Sequence, residues 1–570
     1  MSRASRVALG CLALTLAGCV GRPSSHIPRG WRYATVRAPV TGRHAMVVAE
    51  QPLASEVGAD ILRQGGNAID AAVAVGFAEQ VVNPRAGNIG GGGFLVYRDT
   101  QGQVYTLDYR ETAPAAARRD MYLDSTGHMT ENSLIGALSA GVPGSVAGMW
   151  EMHRRFGKLP WRAVVEPAIR LARDGHVVDS ARAAVLRFSR DRLERFPSTA
   201  ALFLPGGAPI AAGTLWRQPE LAETLERIAD SGAAGFYRGR TADLIVAQMR
   251  RSGGIITHAD LEHYQALWRA PIQTSYRGWT IYSMPPSSSG GVTLAEIFNI
   301  LEGYPKLPAF GTAELDHLEI EAMRRAFADR NRYLGDPAFV QMPLERLLSK
   351  SYAAELRSQI ARDRATPSLP APGIAEGNQT THYCIVDSAG NAVSITTTLN
   401  DNFGSALAVD SAGFLLNDEM DDFASKPGAP NMYGLVQGEA NAIAPGKRML
   451  SAMTPTIVVD PGGKLAMVVG APGGPRIITA VMQVISNVID HDMTMAQAVY
   501  APRIHHQSLP DSIRWEEGGV APATRAGLLR MGYHFDARPG SNAVVEAIRV
   551  TPHGLEGVSD PRIPSRAAGW

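Results

Sequence analysis

Two threonines, Thr380 and Thr381, stand where a Pro- and Gly-bearing stretch, "ATPSLPAPGIAEGNQ" (365–379), gives way to a β-prone run, "TTHYCIV". A hydroxyl is a poor nucleophile unless a base sits beside it. A threonine at the start of a chain carries its own base. Its free α-amine, with a pKa of about 7.7–8.0, can take the hydroxyl proton directly or through water. That chemistry requires the Gln379–Thr380 bond to be cut. The Thr380 hydroxyl could cut it by attacking the preceding carbonyl and shifting the acyl group to oxygen before hydrolysis. By spacing alone the nucleophile reading is weak, because threonines are common in strands.

Other chemistries find little support. There is no HExxH, no CxxC pair, no GxxxxGK[ST] and no GxSxG elbow. The run Gly90–Gly93 lacks the strand-to-helix setting and the ribose-binding acid of a dinucleotide site. His505 and His506 are adjacent and would point apart on a strand, so a two-histidine metal site is not expected. The acidic run Asn417–Asp422 lacks the glycine and spacing of a calcium loop. With 55 basic and 54 acidic residues the chain has no global field, and no nucleic-acid partner is indicated.

The elements that must position such a threonine are legible in outline. The chain has 570 residues, enough for a large core. Arg3 and Arg6 precede an apolar run, "VALGCLALTLAG", too short to span a bilayer as a mature helix. It ends in Leu16-Ala17-Gly18-Cys19, which is similar to a bacterial lipobox. Residues 1–18 are therefore expected to be a lipoprotein signal peptide, with Cys19 lipidated. The readings beside it are an ordinary signal peptide, giving a soluble periplasmic or secreted protein, and a short anchor. Several acyl chains on one cysteine hold stably, at about 0.8 kcal/mol per buried CH₂. The cysteines are Cys11, Cys19 and Cys384, so a processed, lipidated chain would have no intrachain disulfide.

Residues 19–40 read as a linker. "ASEVGADILRQGGNAIDAAVAVGFAEQVVNP" suits two helices broken at Gly65-Gly66. "NIGGGGFLVYRD" and "VYTLDYRE" suggest strands, the second carrying Arg110. Residues 140–360 look mostly helical. After Thr380 the pattern turns to hairpins, "THYCIVDSAGNAVSITTTLN" and "TPTIVVDPGGKLAMVVGAPGG", then the apolar helix "RIITAVMQVISNVID" and the late strand "AVVEAIRVTPHG". Strands on both sides of residue 380 with helices outside them predict an α/β fold, a four-layer αββα sandwich.

Several long stretches, in order, carry a resemblance. "NPRAGNIGGGGF", "LDYRETAPAAARRDMYLD", "YSMPPSSSGG", "DRNRYLGDP", "NQTTHYCIVDSAGNAVSITTTLN", "MDDFASKPGAPNMYGL", "PGKRMLSAMTPT", "GAPGGPRIIT", "APRIHHQ" and "SDPR" together resemble a γ-glutamyltranspeptidase, of the N-terminal-nucleophile hydrolases. The resemblance implies a precursor that cuts itself between Gln379 and Thr380. The products would be a large subunit (41–379) and a small catalytic subunit (380–570) that stay together as a heterodimer.

By the same resemblance, Thr380 is the nucleophile and Thr398 its hydrogen-bonding partner, and the amides of Gly473 and Gly474 form the oxyanion hole. Arg110 and Ser451 hold the donor's α-carboxylate, while Asn400, Glu419 and Asp422 hold its α-amino group. Tyr433 tips a lid loop. The implied activity is γ-glutamyltransferase and glutathione hydrolase, without metal or organic cofactor. Its partners would be glutathione and other γ-glutamyl compounds, with water, amino acids or peptides as acceptors. The enzyme would sit on the periplasmic side of a bacterial membrane, the outer membrane in the leading reading, touching it only through the anchor.

Two departures stand out. Where the family usually has two serines, this chain has Ser451-Ala452, and Pro475 follows the glycine pair where a serine is often seen. The first opens the alternative of a glutaryl or cephalosporin-type acylase. A binding protein that has lost catalysis is the third reading.

Overall fold

A computed structural model of the protein describes residues 27–367 and 380–570. The signal segment 1–18, Cys19 and Gln379 lie outside the described residues.

Two seven-stranded sheets are stacked at the centre. The front sheet runs in the order Arg566–Gly569, Met46–Ala49, Thr380–Val386, Ala392–Thr398, Gly92–Arg98, Val104–Tyr109, Leu267–Arg269. The back sheet runs Val40–Gly42, Gly554–Val558, Glu546–Thr551, Leu465–Gly470, Thr456–Val459, Trp279–Ser283, Ile272–Tyr276. Apolar side chains of both sheets, among them Val48, Val96, Val386, Ile457, Val468 and Ile548, form the layer between them. Helices cover the outer faces, which makes the αββα sandwich.

Local sequence explains the key pieces. The helix Ala68–Val82 is buried along its whole length and starts with a capping box, Asn67 with Asp70. It packs behind the front sheet in the same apolar cluster as Tyr383, Ile385, Val393 and Ile395. The hairpin of Thr380–Val386 and Ala392–Thr398 turns where Asp387 Oδ1 accepts from the amides of Ala389 and Asn391. Its register pairs Thr380 with Thr398, and Thr398 in turn pairs with Gly92. The second expected hairpin, Thr456–Val459 with Leu465–Gly470, forms in the back sheet, and the helix Arg476–Ile489 follows it.

Residues 140–360 are mostly helical, as expected, and also hold the hairpin of Ile272–Tyr276 and Trp279–Ser283 that completes the back sheet. The described part of the stretch read as linker, 27–40, is irregular up to the strand at Val40 and mostly exposed, with Trp31 as its one buried residue. The Trp31 indole donates to the Tyr500 carbonyl at 2.8 Å. No helix among the described residues is long and apolar enough to cross a membrane.

Candidate active site

Thr380 opens its strand and is buried. Directly opposite residues of an antiparallel pair share a face, and the Thr380 and Thr398 hydroxyls lie 3.5 Å apart. Thr398 Oγ1 also accepts from the Asn400 amide at 2.8 Å, which fixes its position at the strand end. Asn400 has a left-handed backbone, φ +81°, a region that asparagine tolerates. The bend lets its side chain donate to the Asp418 carbonyl and accept from the Tyr433 hydroxyl at 2.9 Å.

Gly473 and Gly474 lie between the strand Leu465–Gly470 and the helix Arg476–Ile489, with φ of +140° and +58°. A Cβ on Gly473 would come within 2.8 Å of Ala543 Cβ, and one on Gly474 within 2.9 Å of the Tyr433 ring. Both positions therefore require glycine on conformation and on space. Neither amide has an acceptor among the described residues. Pro475 sits at the cap of the following helix, where an amide would have no intrahelical partner, so the helix loses no hydrogen bond to it.

Arg110 follows the strand Val104–Tyr109 and is 1% exposed. Its guanidinium pairs with Glu419 at 2.5 Å and with Asp422, and its Nε donates to the Met449 carbonyl at 3.3 Å. Burial opposes its charge, but Glu419, Asp422 and Glu111 more than offset this and hold its pKa above the usual range. Burial pushes Glu419 well above the usual carboxylate range, against the pull of Arg110. It pushes Glu111 to about 8 and also raises Asp422. Glu419 Oε2 lies 2.5 Å from Arg110 Nη1, and neither Glu419 oxygen accepts a well-aligned hydrogen bond among the described residues. Those lone pairs remain open to an ammonium.

Ser451 is buried, and its Oγ accepts from the Met453 amide at 3.1 Å. Ala452 adds no polar atom beside it. Tyr433 is pinned from both sides: its hydroxyl binds Asn400, and its carbonyl accepts from Gln507 Nε2 at 2.9 Å.

Every residue expected in the site, except Gly473 and the undescribed Gln379, lines one cavity. With Tyr433 in place its open space is about 20 Å³, room for a water and not for an amino-acid head group. The sequence reading missed Arg330, which also lines this cavity. The signal was present: at helical spacing Arg330 shares a face with Phe327, Ala326 and Met323, all fully buried.

His505 and His506 hydrogen-bond with Thr479 and Gln507, and with Asp511, respectively. Burial lowers the pKa of both. Cys384 is buried among the inter-sheet residues.

A profile of the γ-glutamyltranspeptidase family matches residues 54–570. The chain is 47% identical over 545 residues to a glutathione hydrolase proenzyme of Pseudomonas sp. strain A14, covering 93% of this chain and 95% of that one. It is 38% identical over 543 residues to an acylase ACY 1 proenzyme of Pseudomonas sp. strain V22, covering 93% and 94%. A solved cephalosporin acylase from Bacillus halodurans superimposes with a TM-score of 0.84 at 29% identity, over 95% of this chain and 99% of that one. A match over nearly the whole chain, on a sandwich in which an inner strand begins with Thr380, places this protein in the γ-glutamyltranspeptidase family.

Proposed function

We propose that this chain is a self-processing γ-glutamyltransferase and glutathione hydrolase, cut between Gln379 and Thr380 into a large (41–379) and a small (380–570) subunit. The observation that carries the reading is the cavity itself. It brings a strand-initial threonine, a basic group and open carboxylate oxygens into one small space. Thr380 attacks the γ-amide carbonyl, and its freed amine takes the hydroxyl proton and returns one to the departing amine. The Gly473 and Gly474 amides meet the negative charge that grows on the carbonyl oxygen. Thr398 orients the nucleophile. Arg110 and Ser451 hold the α-carboxylate, and Asn400, Glu419 and Asp422 hold the α-ammonium. The γ-glutamyl ester on Thr380 then passes to water, or to an amino acid or peptide.

In the same reading Cys19 is lipidated and the processed heterodimer sits at the periplasmic face of a bacterial membrane, held only by that anchor. Mass spectrometry of the membrane fraction tests this: an unmodified mature N-terminus other than Cys19 refutes the anchor.

The deciding experiment for function combines a denaturing gel with turnover of γ-glutamyl and glutaryl anilides. Two bands, the smaller beginning at Thr380, with γ-glutamyl the better donor, are expected. One uncut band after long incubation would indicate the catalytically lost reading. A second activity, glutaryl acylase, is the alternative supported by the 38% identity to an acylase ACY 1 proenzyme; the glutaryl group keeps the carboxylate and lacks only the amine. Equal or faster turnover of the glutaryl anilide would establish it instead.

A further inference from the structure

Arg330 lies on the last turn of the helix Ala313–Tyr333 and is 1% exposed. Its Nε donates to Ser289 Oγ at 2.9 Å and its Nη1 to Asn331 Oδ1 at 2.9 Å, and both partners are neutral. The equally buried Arg110 and Arg503 each form ion pairs with carboxylates. Arg330 forms no ion pair among the described residues. Burial lowers its pKa to about 10, with Asp422 opposing the shift from a distance, so it remains charged at neutral pH. A buried cation without an ionic partner is costly, and its charge is one that a bound anion would compensate.

The anchoring of Arg330 shows where that anion would sit. Ser289, which receives the Arg330 Nε–H, donates through its own Oγ and amide to the Ser451 carbonyl at 2.6 and 2.8 Å. The guanidinium is thus tied to the Ser451-Ala452 segment, and it lines the same cavity as both residues. That is the side of the pocket assigned above to the donor's carboxylate.

We propose that Arg330 is a specificity-determining residue. It gives the donor's α-carboxylate a second guanidinium opposite Arg110, replacing the contact that Ala452 cannot make. The inference rests on the donor-pocket reading above. A planar guanidinium held by two side-chain acceptors is preorganised for a carboxylate, and a longer reach from the adjacent helix substitutes for a short hydroxyl. It follows that the alanine does not loosen recognition of the carboxylate.

The test compares processed wild type and Arg330→Gln on three anilides. The γ-glutamyl donor has carboxylate and amine, the glutaryl donor keeps only the carboxylate, and the 4-aminobutanoyl donor keeps only the amine. KM should rise by about tenfold or more for the first two, with kcat changed by less than about threefold, and kcat/KM for the third should hold. Where turnover of the third is too slow, its inhibition constant against the γ-glutamyl donor replaces it. An equal loss on all three donors, or an unchanged KM for the carboxylate-bearing pair, overturns the proposal. Should Arg330→Gln fail to cut itself, Arg330→Lys carries the test: a rise confined to the carboxylate-bearing donors supports it, and a uniform change overturns it. Wild type turning over none of the three refutes the donor-pocket reading itself, which is a distinct result.

Discussion

At the residue scale, the proposed chemistry has Thr380 act twice, first to cut the chain and then to take the acyl group. Thr380→Ala is expected to leave one uncut band and no anilide turnover; a cut, active variant would remove Thr380 from the mechanism. Glu419 adds a pH signature. Burial keeps it protonated to a pH well above that of an ordinary glutamate, so below that point the pocket offers the donor's ammonium a neutral carboxyl. Binding the ammonium favours the carboxylate and releases the proton, because an adjacent positive charge stabilises the ionised form. KM for γ-glutamyl donors should therefore fall as pH climbs through the raised pKa, and glutaryl donors, which have no ammonium, should not share the fall. Parallel KM profiles for the two donors would contradict this role. At this scale the sequence was informative about Thr380, Thr398 and Arg110 because each sits in a long, specific motif. Helical spacing put Arg330, one of four arginines in "RRAFADRNRY", on the apolar face, but Arg324 and Arg325 are buried too, and only the folded structure shows that Arg330 is the one that lines the cavity.

Elements set the precision with which these residues meet. The turn at Gly473-Gly474 is confined by Ala543 on one side and the Tyr433 ring on the other. Gly474→Ala keeps the amide but strains a turn at φ +58° and brings a Cβ within 2.9 Å of the Tyr433 ring, so it should misplace that donor and cut kcat, by at most about 10²–10³-fold, the cost of losing an oxyanion donor outright. A KM-only effect would remove the turn from the oxyanion role. Behind the site, the helices Gly290–Glu302 and Ala313–Tyr333 bring Glu296 against Asp329. Burial first, then the Asp329 charge and hydrogen bond, raise Glu296 well above its usual range. A carboxyl whose folded pKa exceeds its unfolded value of about 4.3 contributes stability fully below that value, and the contribution is lost as pH rises through the folded pKa. Thermal melts should show Tm falling toward alkaline pH, with a shallower fall in Glu296→Gln; identical slopes would argue against it. The hairpin Ile272–Ser283 was legible in principle. "IQTSYRGWTIYS" alternates β-prone residues around Arg277-Gly278, both at positive φ, but the helical periodicity on either side dominated the pattern.

Across the whole molecule, both sheets draw strands from both sides of residue 380. In the front sheet Thr380–Val386 is flanked by Met46–Ala49, and Ala392–Thr398 by Gly92–Arg98. In the back sheet Thr456–Val459 pairs with Trp279–Ser283. Separating the two products would expose unpaired strand edges and the apolar layer between the sheets. The processed protein should therefore elute from a sizing column as one species containing both fragments, and fragments resolving without denaturant would contradict this. The layered fold could be read from where the strands and helices fall along the chain. The pairing order could not, because each long-range partner, such as Met46–Ala49 beside Tyr383–Val386, depends on chain segments hundreds of residues apart.

The interleaving also has a consequence in time. Thr380 reaches Thr398 only through a register that its own hairpin sets, and that hairpin is central to a sheet completed by the N-terminal strands and by Arg566–Gly569 near the very end of the chain. The proposed scission is therefore expected to follow assembly of that sheet. A copy lacking Arg566–Gly569 is expected to stay a single uncut chain on a denaturing gel, and cutting at the wild-type rate would contradict this. Maturation in this architecture works as a checkpoint, in which activity is issued only to molecules that have already proved their fold.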